Sequence, residues 1–193
     1  MLTSVHNRLL VWRCRGMVFT LLNMVLLWAS VAGVPRGQQE IPGRLGIYTY
    51  VWPLIPALTT VFLPLVSMRS DGARDRAAPA FARRRAADLA GFTALGLCAV
   101  AWRQDLSALV LVRNLALFVG LTALCIRLLG PTAAWMLPAC LVMVTWLLGT
   151  DVHGEPRGWA VLLHASGSVS AAAVTAVVTV AGSVAYVNER ARD

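Results

Sequence analysis

The sequence predicts an all-α, polytopic membrane protein that crosses the bilayer with six helices. Of its 193 residues, 58% are hydrophobic and 13% are charged, which is more apolar surface than a soluble core of ordinary composition can bury. All seventeen basic residues are arginines, and most of them lie just outside long uncharged stretches. This pattern is typical of membrane helices, whose flanking cations set their orientation.

Six apolar stretches have about the length that a crossing of the hydrocarbon layer requires. They cover residues 17–34, 47–68, 86–102, 109–129, 132–150 and 168–187. Pro53, Pro56 and Pro64 fall in the second stretch, which predicts a kinked or partly unwound helix there. The first stretch has an alternative interpretation as a signal peptide, because Ser30-Val31-Ala32 has the small residues of a cleavage site.

The last apolar region, residues 158–187, is longer than one straight crossing requires. We divide it at Gly167-Ser168. Residues Trp159 to His164 are predicted to form a short interfacial or re-entrant segment anchored by Trp159, and the sixth helix follows it.

The distribution of arginines predicts that both termini face the cytoplasm. In this orientation twelve arginines lie inside and five outside. The inner set is Arg8, Arg13, Arg15, Arg69, Arg74, Arg76, Arg83, Arg84, Arg85, Arg127, Arg190 and Arg192, and the outer set is Arg36, Arg44, Arg103, Arg113 and Arg157. No loop is long enough for a soluble domain, so residues 1–193 are expected to form one transmembrane domain.

Several classes of chemistry are excluded or disfavoured by composition. The chain has no lysine, so it has no phosphate-binding GxxxxGK[ST] loop, no Schiff-base lysine and no Ser-Lys dyad. Any ATP hydrolysis would have to come from a partner, and we do not expect an enzyme. The cysteines and histidines have no zinc-binding spacing, and no metal or cofactor is expected. Nucleic-acid binding is not expected either, because the basic residues flank apolar spans.

Two polar segments have a weak resemblance to reactive sites. Asp71-Gly72-Ala73-Arg74 is similar to the start of the DGxxAR motif of membrane CDP-alcohol phosphotransferases, but the arginine comes one residue too early and no GxxxDxxxD follows. Asp151, His153 and Glu155 offer oxygen and nitrogen ligands for a cation, although a solvated turn is the interpretation that we favour.

The candidate intramembrane polar site consists of Arg113 and Asn114, with Asp105 before them. A charge inside the apolar layer is costly and usually faces a cavity or a protein partner. Alternatively, Arg113 reaches the outer headgroups, since it lies about one turn inside the layer. Pairing of Arg113 with Asp105 on one helix face is a further possibility.

Small residues recur in the sixth stretch at intervals of about four. They are Ser168, Ala172, Ala176, Ala181 and Ala185. Such a stripe allows another helix to approach closely. The neighbouring helix would belong either to the same chain or to a second copy in a homodimer.

The order of these parts resembles the membrane subunit of an ABC-2 type exporter over nearly the whole chain, at the level of topology. It is also similar to six-span membrane proteins of actinobacteria. The resemblance implies an N-terminal interfacial helix at Leu2 to Arg15, a basic cytoplasmic loop at residues 69–85 that couples to the ATPase, and a re-entrant element at Trp159 to His164. The candidate coupling residues are Arg69, Arg74, Arg76, Arg83, Arg84 and Arg85.

The same resemblance implies a permease of the plasma membrane that works with a separate ABC ATPase. It would pair with an identical copy or with a second permease, and the lipid bilayer would surround it. The first alternative is a non-catalytic membrane binding or immunity protein, or a substrate-binding transporter subunit. The second is a membrane enzyme acting on lipid-linked substrates, which would need clustered carboxylates or histidines at a membrane face.

Overall fold

The computed structural model describes residues 17–34, 37–41, 43–70, 81–101 and 106–188, and within them the chain is mostly helical, which confirms the all-α class. The helices are α1 (Met17–Gly33), α2 (Thr59–Ser70), α3 (Phe81–Val100), α4 (Leu106–Leu129), α5 (Met136–Leu148) and α6 (Val169–Val187). A 3₁₀-helix, Trp52–Leu58, leads directly into α2. The strands β1 (Gln39–Glu40) and β2 (Tyr48–Thr49) form a small antiparallel pair.

Two of the described helices are long and apolar enough to cross a membrane, where the sequence predicts six such helices. They are α4, over Ala108–Leu129, and α6. Three shorter apolar helices accompany them, Val18–Gly33, Trp52–Met68 and Met136–Leu148, and the local structure explains the last two. The chain forms turns from Pro131 to Trp135, which leaves α5 only thirteen residues, and the second apolar stretch is divided between the 3₁₀-helix and α2.

Proline explains why the second stretch is divided. Pro53 lies at the start of the 3₁₀-helix and Pro56 lies inside it. A proline has no N–H to donate and restricts the residue before it, so an α-helical hydrogen-bond pattern cannot run through this segment. The predicted partial unwinding of this stretch is therefore present, and it takes the form of a 3₁₀-helix.

The predicted basic loop, residues 69–85, is helical at both of its ends. Arg69 lies in the last turn of α2, and Arg83, Arg84 and Arg85 lie in the first turns of α3. Arginine is a good helix former, so a run of charges does not by itself end a helix. Arg74, Arg76 and the predicted interfacial helix at Leu2 to Arg15 lie outside the described residues.

The centre of the bundle is α4, which contacts α2, α3, α5, α6 and the 3₁₀-helix. Its most extensive contact is with α6. These two helices cross at Gly120 and Gly182, where a Cβ atom added to Gly182 would overlap the carbonyl group of Gly120. Thr179 Oγ1 donates a hydrogen bond of 2.9 Å to the carbonyl oxygen of Ala116 across the same crossing.

The small-residue stripe predicted for the sixth helix does not form this crossing. Ala172, Ala176 and Ala181 are exposed, whereas the buried positions of α6 are Ala171, Thr175, Gly182 and Tyr186. Because small residues occupy most faces of this helix, a spacing of four in the sequence does not distinguish the packed face from the outer one.

The outside of the bundle is apolar and several polar side chains lie inside it. Val177 and Val180 on α6 are 68% and 63% exposed, and large apolar side chains of α1 and α5 are exposed in the same way. Asn23, Asn114 and Arg85, by contrast, are buried. An exposed apolar surface of this extent is not stable in water and is typical of contact with lipid or with another protein.

Candidate functional site

Arg113 and Asn114 lie side by side on α4 and connect three parts of the chain. Asn114 is fully buried. Its Nδ2 donates hydrogen bonds of 2.8 Å to the carbonyl oxygens of Pro53 and Leu162, and its Oδ1 accepts one of 3.2 Å from Nε of Arg113. The side chain of Asn114 therefore holds the 3₁₀-helix and the segment before α6 against α4.

The carbonyl oxygen of Pro53 is free for Asn114 because of the local sequence. In a 3₁₀-helix the carbonyl of residue 53 would accept from the N–H of residue 56. That residue is Pro56, which has no N–H. A buried carbonyl without a partner is costly, and the amide of Asn114 supplies the missing donor.

The guanidinium group of Arg113 holds a segment of turns, residues 157–168, which we call the clamped segment. Nη1 donates a hydrogen bond of 3.0 Å to the carbonyl of Ala165. Nη2 donates hydrogen bonds of 3.0 Å to the carbonyl of Val161 and 2.9 Å to that of His164. The clamped segment contains Trp159 to His164, the part that was predicted to be interfacial or re-entrant, and the structure shows successive turns there rather than a regular helix. Its carbonyls therefore have few backbone partners, and the planar, multi-donor guanidinium group is well suited to collect them.

The clamped segment also has an apolar anchor. Leu162 is 1% exposed and packs in a hydrophobic cluster with Leu54, Leu117 and Phe118. Ala160 is fully buried. Leu162 therefore secures the segment from inside the bundle, while Arg113 secures its backbone.

These contacts define the chemical role of the predicted polar site. The guanidinium group of Arg113 is hydrogen-bonded to protein acceptors. Every nitrogen of its guanidinium group donates to a protein oxygen in the described part of the chain. The pair thus acts as a structural clamp, not as an open binding site. Asp105, its suggested partner, lies outside the described residues.

Arg44 has a similar role that the sequence does not indicate. Its Nη1 donates to the carbonyl of Leu147 at 2.9 Å and more weakly to that of Thr150 at 3.4 Å. The last carbonyls of a helix have no N–H partner within it, and a cation there also interacts favourably with the helix dipole. Arg44 therefore caps the end of α5. The contact spans 103 residues, so no local pattern could have predicted it.

Arg85 is the largest departure from the predicted coupling surface. Its side chain is 2% exposed, and its Nη1 donates a hydrogen bond of 2.7 Å to the carbonyl of Tyr186 near the end of α6. The guanidinium carbon lies 4.2 Å from the ring centroid of Tyr186 and 5.0 Å from that of Phe81. Arg83 and Arg84, in contrast, are exposed. Of the three, Arg85 is therefore the one that does not lie at the surface.

The turn of residues 151–157 is stabilised by hydrogen bonds between its backbone N–H groups and the side chain of Asp151. Oδ1 of Asp151 accepts from the N–H groups of Glu155 at 2.9 Å and His153 at 2.8 Å. The hydrogen bond from Glu155, followed by that from His153, holds the pKa of Asp151 below its ordinary value. The carboxylate thus stabilises the turn. Among the described residues no group of three His, Cys, Asp or Glu side chains is placed to hold a metal ion.

Arg44, Arg85 and Arg113 share one role, since each donates to main-chain carbonyls at a helix end or in a turn. No protein-family model, curated protein or solved structure matches the chain. The inference of function therefore rests on these contacts, on the apolar exterior of the bundle and on the distribution of charge.

Proposed function

We propose that this chain is a multi-pass protein of the plasma membrane, in which six helical segments cross the bilayer and both termini face the cytoplasm. The observation that carries the proposal is the apolar exterior of the bundle. Most of the exposed side chains of α6 are valines and alanines, and Val169, Val177 and Val180 are more than half exposed. Lipid is a solvent in which such a surface is stable.

The way in which helix ends meet supports the six-crossing arrangement. The 3₁₀-helix, the first part of α4 and the clamped segment meet at Asn114. The end of α5 lies beside them, because the N–H of Arg157 donates 2.8 Å to the carbonyl of Gly149. At a different place, the start of α3 meets the end of α6 through Arg85 and Tyr186. If the chain reverses direction at each of six crossings, the ends in the first group all lie on the outer face of the membrane, and the ends in the second group lie on the inner face.

Exposed aromatic side chains support the same arrangement. Tyr48, Tyr50 and Trp159 are each between 42% and 45% exposed, and all three belong to segments that the proposed topology assigns to the outer face. Tyrosine and tryptophan are enriched where the hydrocarbon layer meets the headgroups, because their rings are apolar and their polar atoms reach water.

Within this arrangement we propose that the chain is the permease subunit of an ABC-2 type exporter and acts with a separate ATPase. Arg83 and Arg84 are exposed at the start of α3, on the face that the proposed topology assigns to the cytoplasm. The clamped segment lies between the fifth and sixth helices, where the resemblance implies a re-entrant element. Two such subunits, identical or different, would enclose the substrate path.

The topology is tested by labelling single cysteines in intact cells with a membrane-impermeant maleimide. The four native cysteines are first replaced by serine, and His153→Cys and Arg83→Cys are then made separately. We expect His153→Cys to react in intact cells and Arg83→Cys to react only after permeabilisation. Labelling of both in intact cells, or the reverse pattern, would contradict the proposed orientation.

The coupling role is tested by co-expression of this chain with ABC ATPases encoded in the same genome, followed by affinity purification. We expect the double variant Arg83→Glu, Arg84→Glu to recover at least about tenfold less ATPase, because reversal of exposed charges removes electrostatic complementarity. Arg157→Glu, at the opposite face, serves as the matched control and should recover the normal amount. If the double variant inserts into the membrane and still recovers the ATPase, the coupling role is wrong. If the unaltered chain recovers none, the binding or immunity alternative is favoured.

A further inference from the structure

Arg85 connects the first turns of α3 to the end of α6. Its guanidinium group lies between the rings of Phe81 and Tyr186 and donates to the carbonyl of Tyr186. A buried cation is retained only where hydrogen bonds and favourable charge replace the water that it loses. The aromatic faces and the negative end of the α6 dipole provide this here. Arg83, two residues earlier on α3, is exposed.

From Tyr186 the contact continues into the centre of the bundle. One turn before Tyr186, the backbone of Gly182 touches the backbone of Gly120 on α4. Close contact between two backbones leaves no flexible side chain to absorb a displacement. Thr179, one further turn along α6, is hydrogen-bonded to α4 through the carbonyl of Ala116. Helices α6 and α4 are thus joined on successive turns, by a backbone contact at Gly182 and by a side-chain hydrogen bond at Thr179.

The same α4 carries Arg113 two turns before Gly120, and Arg113 holds the carbonyls of the clamped segment. Contacts of short range therefore run without a break from Arg85 to the clamped segment at the other end of the bundle. Continuity by itself does not demonstrate coupling, which requires that a change at one end alters the other.

We propose that Arg85 is a positioning residue that couples the start of α3 to the clamped segment, with α6 and α4 moving as one body between them. The inference goes beyond the proposed function, because it concerns this chain alone and holds with or without an ATPase. In an exporter, the coupling would carry a displacement applied at Arg83 and Arg84 to the opposite face of the membrane.

The test is amide hydrogen exchange on the purified full chain in phospholipid nanodiscs. The reporters are the N–H groups of Ala160, Val161 and Leu163, each of which is hydrogen-bonded within the clamped segment. Arg85→Gln is expected to raise their exchange rates by about fivefold or more, because loosening of the α6 end is transmitted to the segment. Arg83→Gln, on the exposed side of the same helix, should change them by less than about twofold.

Two results would overturn the proposal. In the first, Arg85→Gln accelerates exchange around Tyr186 but leaves the three reporter amides unchanged, so that Arg85 is only a local lock. In the second, Arg83→Gln has an equal effect on the reporters. If Arg85→Gln fails to insert, Arg85→Lys decides the question. Lysine retains a donor for the Tyr186 carbonyl but not the planar group between the rings, so a smaller rise at the same amides is expected and no rise refutes the coupling.

Discussion

Replacement of Gly182 by alanine is expected to destabilise the protein by about 2–3 kcal/mol, in the upper part of the range of about 1–3 kcal/mol for adding atoms to a packed interface without space for them. The new Cβ would overlap the carbonyl of Gly120. That atom belongs to the backbone of α4 and cannot rotate away, so the two helices must separate along their most extensive contact. The measurement is the free energy of unfolding in mixed micelles titrated with sodium dodecyl sulfate.

Gly91→Ala is the matched control, since it makes the same substitution in a described helix. Gly91 is exposed on α3, and no heavy atom would lie within 4 Å of its added Cβ. Alanine is the better helix former, so stability should stay the same or rise by up to about 1 kcal/mol. If Gly182→Ala and Gly91→Ala had equal effects, the close approach of α4 and α6 would be refuted.

Replacement of Arg113 by methionine is expected to cost about 3–4 kcal/mol and to release the clamped segment. Methionine retains most of the apolar stem but donates no hydrogen bond, so the carbonyls of Val161 and His164 lose their donor, while that of Ala165 keeps the hydrogen bond from the N–H of Ser168. A buried group left without its partner costs about 1–3 kcal/mol, and two such losses account for the expected total. The measurements are the free energy of unfolding and the rate of proteolysis within residues 157–168.

Two further variants show whether the loss is specific to the guanidinium group. Arg157→Met removes an exposed arginine from the same segment and should change the free energy of unfolding by less than about 0.5 kcal/mol. Arg113→Lys keeps the charge but not the fork of donors, and an intermediate loss is expected. A loss for Arg113→Met no greater than for Arg157→Met would mean that the clamp does not hold the segment.

The helices that follow most directly from the sequence are α1, over Met17–Gly33 where 17–34 is predicted, and the two of crossing length. The fourth stretch, predicted at 109–129, is α4 over Leu106–Leu129, and the sixth, predicted at 168–187, is α6 over Val169–Val187. Both are long apolar runs without proline, so local composition alone is sufficient. The second and fifth stretches contain prolines, and there the helices are shorter than the apolar runs.

The candidate polar site was predicted from a single feature, the position of Arg113 and Asn114 within an apolar run. A charge at Arg113 within an apolar run indicates that a partner exists, but it does not indicate which one. The partners are main-chain carbonyls 48 to 52 residues away. Every residue has a main-chain carbonyl, so the sequence does not show which carbonyls accept from Arg113. The path of the backbone decides which of them are within reach.

By itself the sequence determined the helical class, the apolar character of the spans and the absence of lysine chemistry, because each is a property of composition or of neighbouring residues. Only the tertiary structure decided what the arginines do. Arg83, Arg84 and Arg85 are identical and adjacent in sequence, yet Arg85 is buried against Tyr186 while the other two are exposed. Successive residues of a helix point about 100° apart, so the packing of α6 on one side of α3 separates three equal charges into one structural contact and two surface groups.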